Sequence, residues 1–183
     1  METLKSIGEL FEPDVRWSYF VARDSATNVI TPYLLEHRYQ AIAEITLSSK
    51  APEDVTSHFN VARMLCVYAW LYYPLHQVAE LKAFSTVEMA LRERFPGGKR
   101  GLFKLLSLAV EQGIIADAGF SHIKAISGVT GQYSKRLPEF VSSLRNSLAH
   151  GNNMLFPGSL HTLRICAEMI NQLFPEVGAD HPK

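Results

Sequence analysis

The chain has 183 residues, 47% hydrophobic and 20% charged, with eighteen Lys and Arg set against eighteen Asp and Glu. That length suits one domain with a proper core, and zero net charge supplies no global positive field to draw in nucleic acid. No basic stretch followed by an apolar core opens the chain, and the most apolar run, 64–75, is short and broken by Pro74, so neither a secretory signal nor a membrane span is expected and the cytoplasm is the expected compartment.

Residues 15–30 alternate around Trp17, Tyr19 and Val21, a pattern that fits a short hairpin or another helix. Thr31 and Pro32 suit an N-cap and first turn, with Leu35, Tyr39, Ile42 and Ile45 as the stripe that follows. Pro52, Glu53 and Asp54 open the next helix, whose core face is Val55, Phe59, Ala62, Cys66, Ala69 and Tyr73. Pro74 should end or kink it before the pattern resumes to Phe95. Pro96-Gly97-Gly98 is a break, and Leu102, Leu105, Leu106 and Ala109 mark a helix stopped by Gly113. Residues 114–135 read as a short helix near His122 to Ile126, then a mobile loop. A strongly amphipathic helix follows, with Leu137, Phe140, Val141, Leu144 and Leu148 inward and Gly151, Asn152 and Asn153 as its stop. The last helix runs from about Ser159 to Phe174 on Leu163, Cys166, Ala167, Ile170 and Leu173. Cys66 and Cys166 both fall in apolar stripes and read as buried thiols. The expected fold is all-α, a bundle of about five to seven helices with a short irregular or β-hairpin element near its start. Residues 1–50 are expected to pack as an extension on a core of 51–175, with 176–183 as a flexible tail.

Chemistry concentrates in Leu144-Arg145-Asn146-Ser147-Leu148-Ala149-His150-Gly151. Arginine grips phosphate oxygens through a fixed fork of donors, and histidine moves protons near neutral pH. Asn146 and His150 are four apart and stack on the face opposite the apolar stripe. Arg145 flanks the stripe, about 140° from His150, so only its long side chain could reach toward the imidazole. In the last turn, the negative dipole end favours an imidazolium. Upstream, Glu88 projects from the apolar face of Leu81, Phe84, Leu91 and Phe95. A carboxylate placed there needs a partner. It could pair with Arg92 on the same helix, or face the motif helix and orient Arg145 or His150.

Arg145-Asn146-x-x-x-His150-Gly151 resembles the Arg-x(4–6)-His signature of the HEPN superfamily (higher eukaryotes and prokaryotes nucleotide-binding), where the residue after the arginine is usually polar. Glu88-Met89-Ala90-Leu91-Arg92-Glu93-Arg94 is similar to the helix of such domains that carries an acidic residue. The resemblance implies a HEPN-like helical domain and a metal-independent endoribonuclease, with no cofactor, in a toxin or phage-defence role. It further implies that His150 takes the proton from a ribose 2′-hydroxyl as a 2′,3′-cyclic phosphate forms. Arg145 then stabilises phosphate charge, and Asn146 orients the imidazole or binds phosphate. One motif supplies one histidine, so a homodimer would bring the proton donor for the leaving oxygen. An antitoxin or other regulatory protein is a partner the family suggests. The tyrosine modified in one branch, in a His-x-Tyr continuation, is missing because Gly151 and Asn152 follow His150.

RNA would have to be held by a local patch, the candidates being Lys99, Arg100 and Lys104, or Lys135 and Arg136. Taken alone, either cluster reads first as solvated helix ends and loops. His37, His58, His76, His122, His161 and His181 show no zinc-site spacing, and Pro96 to Arg100 lacks the phosphate-loop pattern. The competing expectation is a non-catalytic HEPN-like nucleotide-binding or protein-interaction module, in which Arg145 and Asn146 make only structural polar contacts.

Overall fold

Residues 2–123, 131–151 and 158–176 are described by a computed structural model. Within them the periodic segments become α1 (Leu35–Ala43), α2 (Glu53–Tyr68), α3 (Leu75–Arg94), α4 (Leu102–Glu111), α5 (Gln132–Ala149) and α6 (Ser159–Leu173). The molecule is mostly helical, as expected. Its helix boundaries follow the punctuation of the sequence. Pro52 sits at the N-cap of α2 with Glu53 and Asp54 in the first turn, and Pro74 immediately precedes α3. Gly97, Gly98 and Gly113 take φ of 95°, 78° and 70°, backbone that only glycine adopts freely, and they end α3 and α4.

α3 is the central helix and packs against α2, α4, α5 and α6. Ala62 and Ala69 near α2, and Ala79, Ala83 and Ala90 on α3, are fully buried; side chains this small let helix axes approach closely. The expected core faces of α2 and α6 are buried at every position named above. Leu91, Leu105, Leu106, Leu137, Met169 and Ile170 join them in one hydrophobic cluster. Both thiols are buried and free. Among the described residues no helix is long and apolar enough to cross a membrane.

The stretch before α1 resolves as a hairpin. After a 3-10 turn at Val15–Tyr19, β1 (Val21–Arg23) pairs antiparallel with β2 (Ile30–Pro32) in the register Val21 to Pro32, Ala22 to Thr31 and Arg23 to Ile30. Asp24 drives the reversal, its Oδ1 accepting from the N–H groups of Ala26 and Thr27 at 2.9 and 2.7 Å. Thr31 and Pro32 therefore lie in a strand, and the N-cap expected there is corrected. α1 begins at Leu35, where the N–H of Leu34 donates to His37 Nδ1 at 3.0 Å. The expected stripe of α1 is corrected too. Ile42 and Ile45 are buried, but Leu35 and Tyr39 are exposed and Arg38 turns inward at 2% exposure.

Arg38 is buried because a polar nest receives it. Its Nε donates to the carbonyl of Cys66 at 2.7 Å, its Nη2 reaches Cys66 Sγ at 3.0 Å, and its guanidinium lies 4.7 Å from the Trp17 ring. Trp17 Nε1 donates to the carbonyl of Ala69, and the Asp14 carboxylate accepts from the N–H of Tyr73. These contacts fasten the N-terminal segment to the turn between α2 and α3. Of the short helix expected near His122 to Ile126, His122 and Ile123 lie outside any helix, a 3-10 turn at Asp117–Gly119 precedes them, and positions 124–126 lie outside the described residues. Positions 124–130, Asn152, Asn153 and 177–183 of the expected tail lie outside the described residues, while Glu176, the first residue of that tail, accepts from the N–H of Ser49 at 2.6 Å.

A candidate cleft between three helices

α5 carries the motif, and its start is held from a distance. Gly131, at the N-cap with φ 82°, has no side chain to cap with. The Asp117 carboxylate substitutes, accepting from the N–H groups of Gly131, Tyr133 and Ser134 at 2.9, 3.4 and 2.7 Å. Slight burial pushes its pKa up, but these donors outweigh burial and hold it below the usual carboxylate value. The buried face of α5 is Ser134, Leu137, Pro138 and Val141, while Phe140 and Leu144 are 56% and 37% exposed. The expected stripe is thus corrected by a rotation of about 50°. Hydrophobic pattern weighted Phe140 and Leu144, whereas α3 and α4 pack on the side of Pro138, whose ring has no N–H to leave unpaired.

That rotation carries Arg145 inward. It reaches a cleft of about 280 Å³ lined by Glu88 of α3, Gly101, Leu102 and Phe103 at the start of α4, and Ser142, Arg145 and Asn146 of α5. Glu88, only 17% exposed, is shared by two cations: Oε1 accepts from Arg92 Nη2 at 2.7 Å, and Oε2 lies 3.5 Å from Arg145 Nη2. Both partners considered from the sequence are therefore present at once. Arg145 Nη1 donates a long hydrogen bond, 3.4 Å, to Asn146 Oδ1. Arg145 Nε and Ser142 Oγ are shielded from solvent, and among the described residues neither has a hydrogen-bond partner. The partly exposed guanidinium end of Arg145, held by Glu88, is the group here that can meet an anionic oxygen.

His150 is placed differently. It is the C-cap of α5, its backbone N–H donating to the carbonyl of Asn146 at 3.0 Å, with Gly151 at φ 83° ending the helix as expected. Its side chain is exposed and does not line the cleft. The structure brings Glu88, Arg145 and Asn146 together and leaves His150 one helical turn beyond Asn146. Lys99 and Arg100 are exposed directly before Gly101, and Lys104 is exposed one residue past Phe103, so this cluster flanks the cleft. Lys135 and Arg136 are exposed in the first turn of α5, about 15 Å along the axis from Arg145.

Sequence reasoning missed Ser142, although its spacing three before Arg145 puts both on one helical face. It also passed over His122 and His161. Their rings lie 5.1 Å apart, and His122 Nδ1 is 3.9 Å from Glu168 Oε2. Tyr133 packs against His122, its hydroxyl pushed up to about 12 first by burial and then by Glu168. These groups are far apart in the chain, and no local spacing announces them. Among the described residues no three His, Cys, Asp or Glu side chains converge in a metal-holding group. Comparison with family models, with curated proteins and with solved structures found no match for the chain.

Proposed function

We propose that the chain is a metal-independent endoribonuclease of HEPN type, acting at the end of α5. The observation that carries this reading is the Glu88–Arg145 pair in a cleft, with Asn146 beside it and an exposed histidine one turn away. Arg145 stabilises charge on the phosphate oxygens, held in place by Glu88. His150 removes the 2′-hydroxyl proton, and the oxygen attacks phosphorus to give a 2′,3′-cyclic phosphate and a free 5′-hydroxyl. The proton for the leaving oxygen comes from His150 of a second copy, and Lys99, Arg100 and Lys104 guide the RNA strand toward the cleft. A role in toxin or phage-defence systems, with a regulatory partner protein, accords with such an activity.

The test is cleavage of labelled RNA in EDTA with end-group analysis. His150→Ala should abolish cleavage. Arg145→Ala should lower the rate roughly 10²–10³-fold, the usual cost of losing one charge-stabilising donor, and Glu88→Gln should lower it less while weakening the fold. Cleavage that persists in His150→Ala, or that requires a divalent ion, would overturn the mechanism. A second reading, a nucleotide-binding or protein-interaction module without catalysis, is favoured by one observation. His150 is exposed and lies outside the cleft that holds Arg145 and Glu88. RNA retained by the wild type but uncut, with retention lost in Arg145→Ala, would select that reading.

A further inference from the structure

The two edges of the hairpin are chemically unlike. Phe20 accepts from the N–H of Tyr33, and the N–H of Asp24 donates to Val29. Taken with the register, these bonds make Ala22–Thr31 the hydrogen-bonded pair between β1 and β2, because such pairs alternate along an antiparallel ladder. The backbone groups of Val21 and Arg23 then point away from β2, and those of Ile30 and Pro32 point away from β1. Pro32 has no N–H, which blocks the β2 edge. The β1 edge has no such block: among the described residues nothing bonds the outward N–H and C=O groups of Val21 or Arg23. An isolated two-stranded hairpin is marginally stable at best.

We infer that a second copy of the chain adds its own β1 to this edge, antiparallel, about a two-fold axis at Ala22. In that register Val21 exchanges two hydrogen bonds with Arg23 of the partner subunit, the symmetry doubles them, and every residue of β1 is paired. A register centred on Arg23 sets two guanidiniums opposite each other, and one centred on Val21 pairs fewer residues of the strand. The surroundings are apolar enough to sustain the contact. Twelve of the nineteen exposed large hydrophobics fall within residues 4–39. Val15, Val21 and Ile30 line one cleft beside the hairpin, and Tyr19 and Val29 adjoin it in sequence; these five are 55–82% exposed. A chain without net charge opposes its own association little.

This contact is independent of the nuclease reading and is tested without RNA. The full chain and its Val21→Pro and Arg23→Pro variants are compared by light scattering at tens of micromolar, with circular dichroism to verify folding. Each proline removes an N–H that points outward and leaves the bonds to β2 in place, so the assembly mass should fall. The register is read separately with Ala22→Cys. Opposed residue-22 Cα atoms at about 4.5 Å are within disulfide reach, and both native thiols are buried. Mild oxidation with diamide should yield a covalent dimer from Ala22→Cys and none from Ala26→Cys. Equal masses for wild type and both folded proline variants, or no link from Ala22→Cys, would overturn the inference.

Discussion

His76 shows how far burial alone can move a single group. It is 1% exposed, with Nδ1 2.5 Å from Ser159 Oγ and Nε2 without a hydrogen-bond partner among the described residues. Burial first, and the Arg38 charge second, lower its pKa to about 3 from 6.5. The folded value is depressed, so below pH 6.5 the unfolded chain binds a proton that the folded chain refuses. Stability is therefore full above pH 6.5 and falls as pH drops toward 3, by up to about 1.4 kcal/mol per unit. Urea unfolding of the wild type between pH 7 and 5 should show this slope, and His76→Gln should flatten it. An unchanged slope in the variant would assign the acid sensitivity to other groups.

At the scale of the element, α5 matters most because its placement sets the direction of Arg145. Asp117 does the work of an N-cap residue for it from fourteen positions upstream. Asp117→Ala should lower stability by about 1 kcal/mol, the usual cost of a lost cap, and should reduce any activity that depends on Arg145. Asp117→Asn, which keeps an acceptor, should cost less; denaturant midpoints of the two variants decide this. The same helix marks what the sequence could and could not reveal. Prolines, glycines and apolar spacing locate α3, α4, α6 and the start of α2 closely, because those signals act within a few residues of the backbone they shape; α2 stops at Tyr68, short of the end or kink expected at Pro74. The motif pointed to Arg145 and Asn146 by residue type. The rotation of α5, the inward turn of Arg38 and the Asp117 cap depend on which neighbour occupies which side, and periodicity holds no such information. The sequence of residues 15–30 fits a hairpin or a helix alike because Trp17 belongs to neither pattern: it is fixed by Ala69 and Arg38 across the fold.

For the molecule as a whole, Trp17 is the point of attachment between the N-terminal segment and the bundle. It stacks on Tyr33 and Trp70, lies against Tyr73 and His76, and is 5% exposed. Trp17→Ala should cost about 3–5 kcal/mol, as removal of a large buried aromatic does. It should also release the hairpin, which limited proteolysis would detect as early cleavage within the first thirty residues. Cleavage there at the wild-type rate would show that Arg38 and Asp14 suffice to hold the segment.

The sharing of Glu88 has an electrical consequence. Two guanidiniums and one carboxylate meet at Glu88 and leave one positive charge uncancelled among the three, beside the exposed Lys99, Arg100 and Lys104, in a chain whose total is zero. Beyond a Debye length, about 8 Å at physiological ionic strength, salt hides it from solution. A polyanion is therefore guided to this surface only over the last few ångströms, where the flanking lysines and Arg100 act. It senses the charge only on arrival, and retention there should weaken steadily as salt is added.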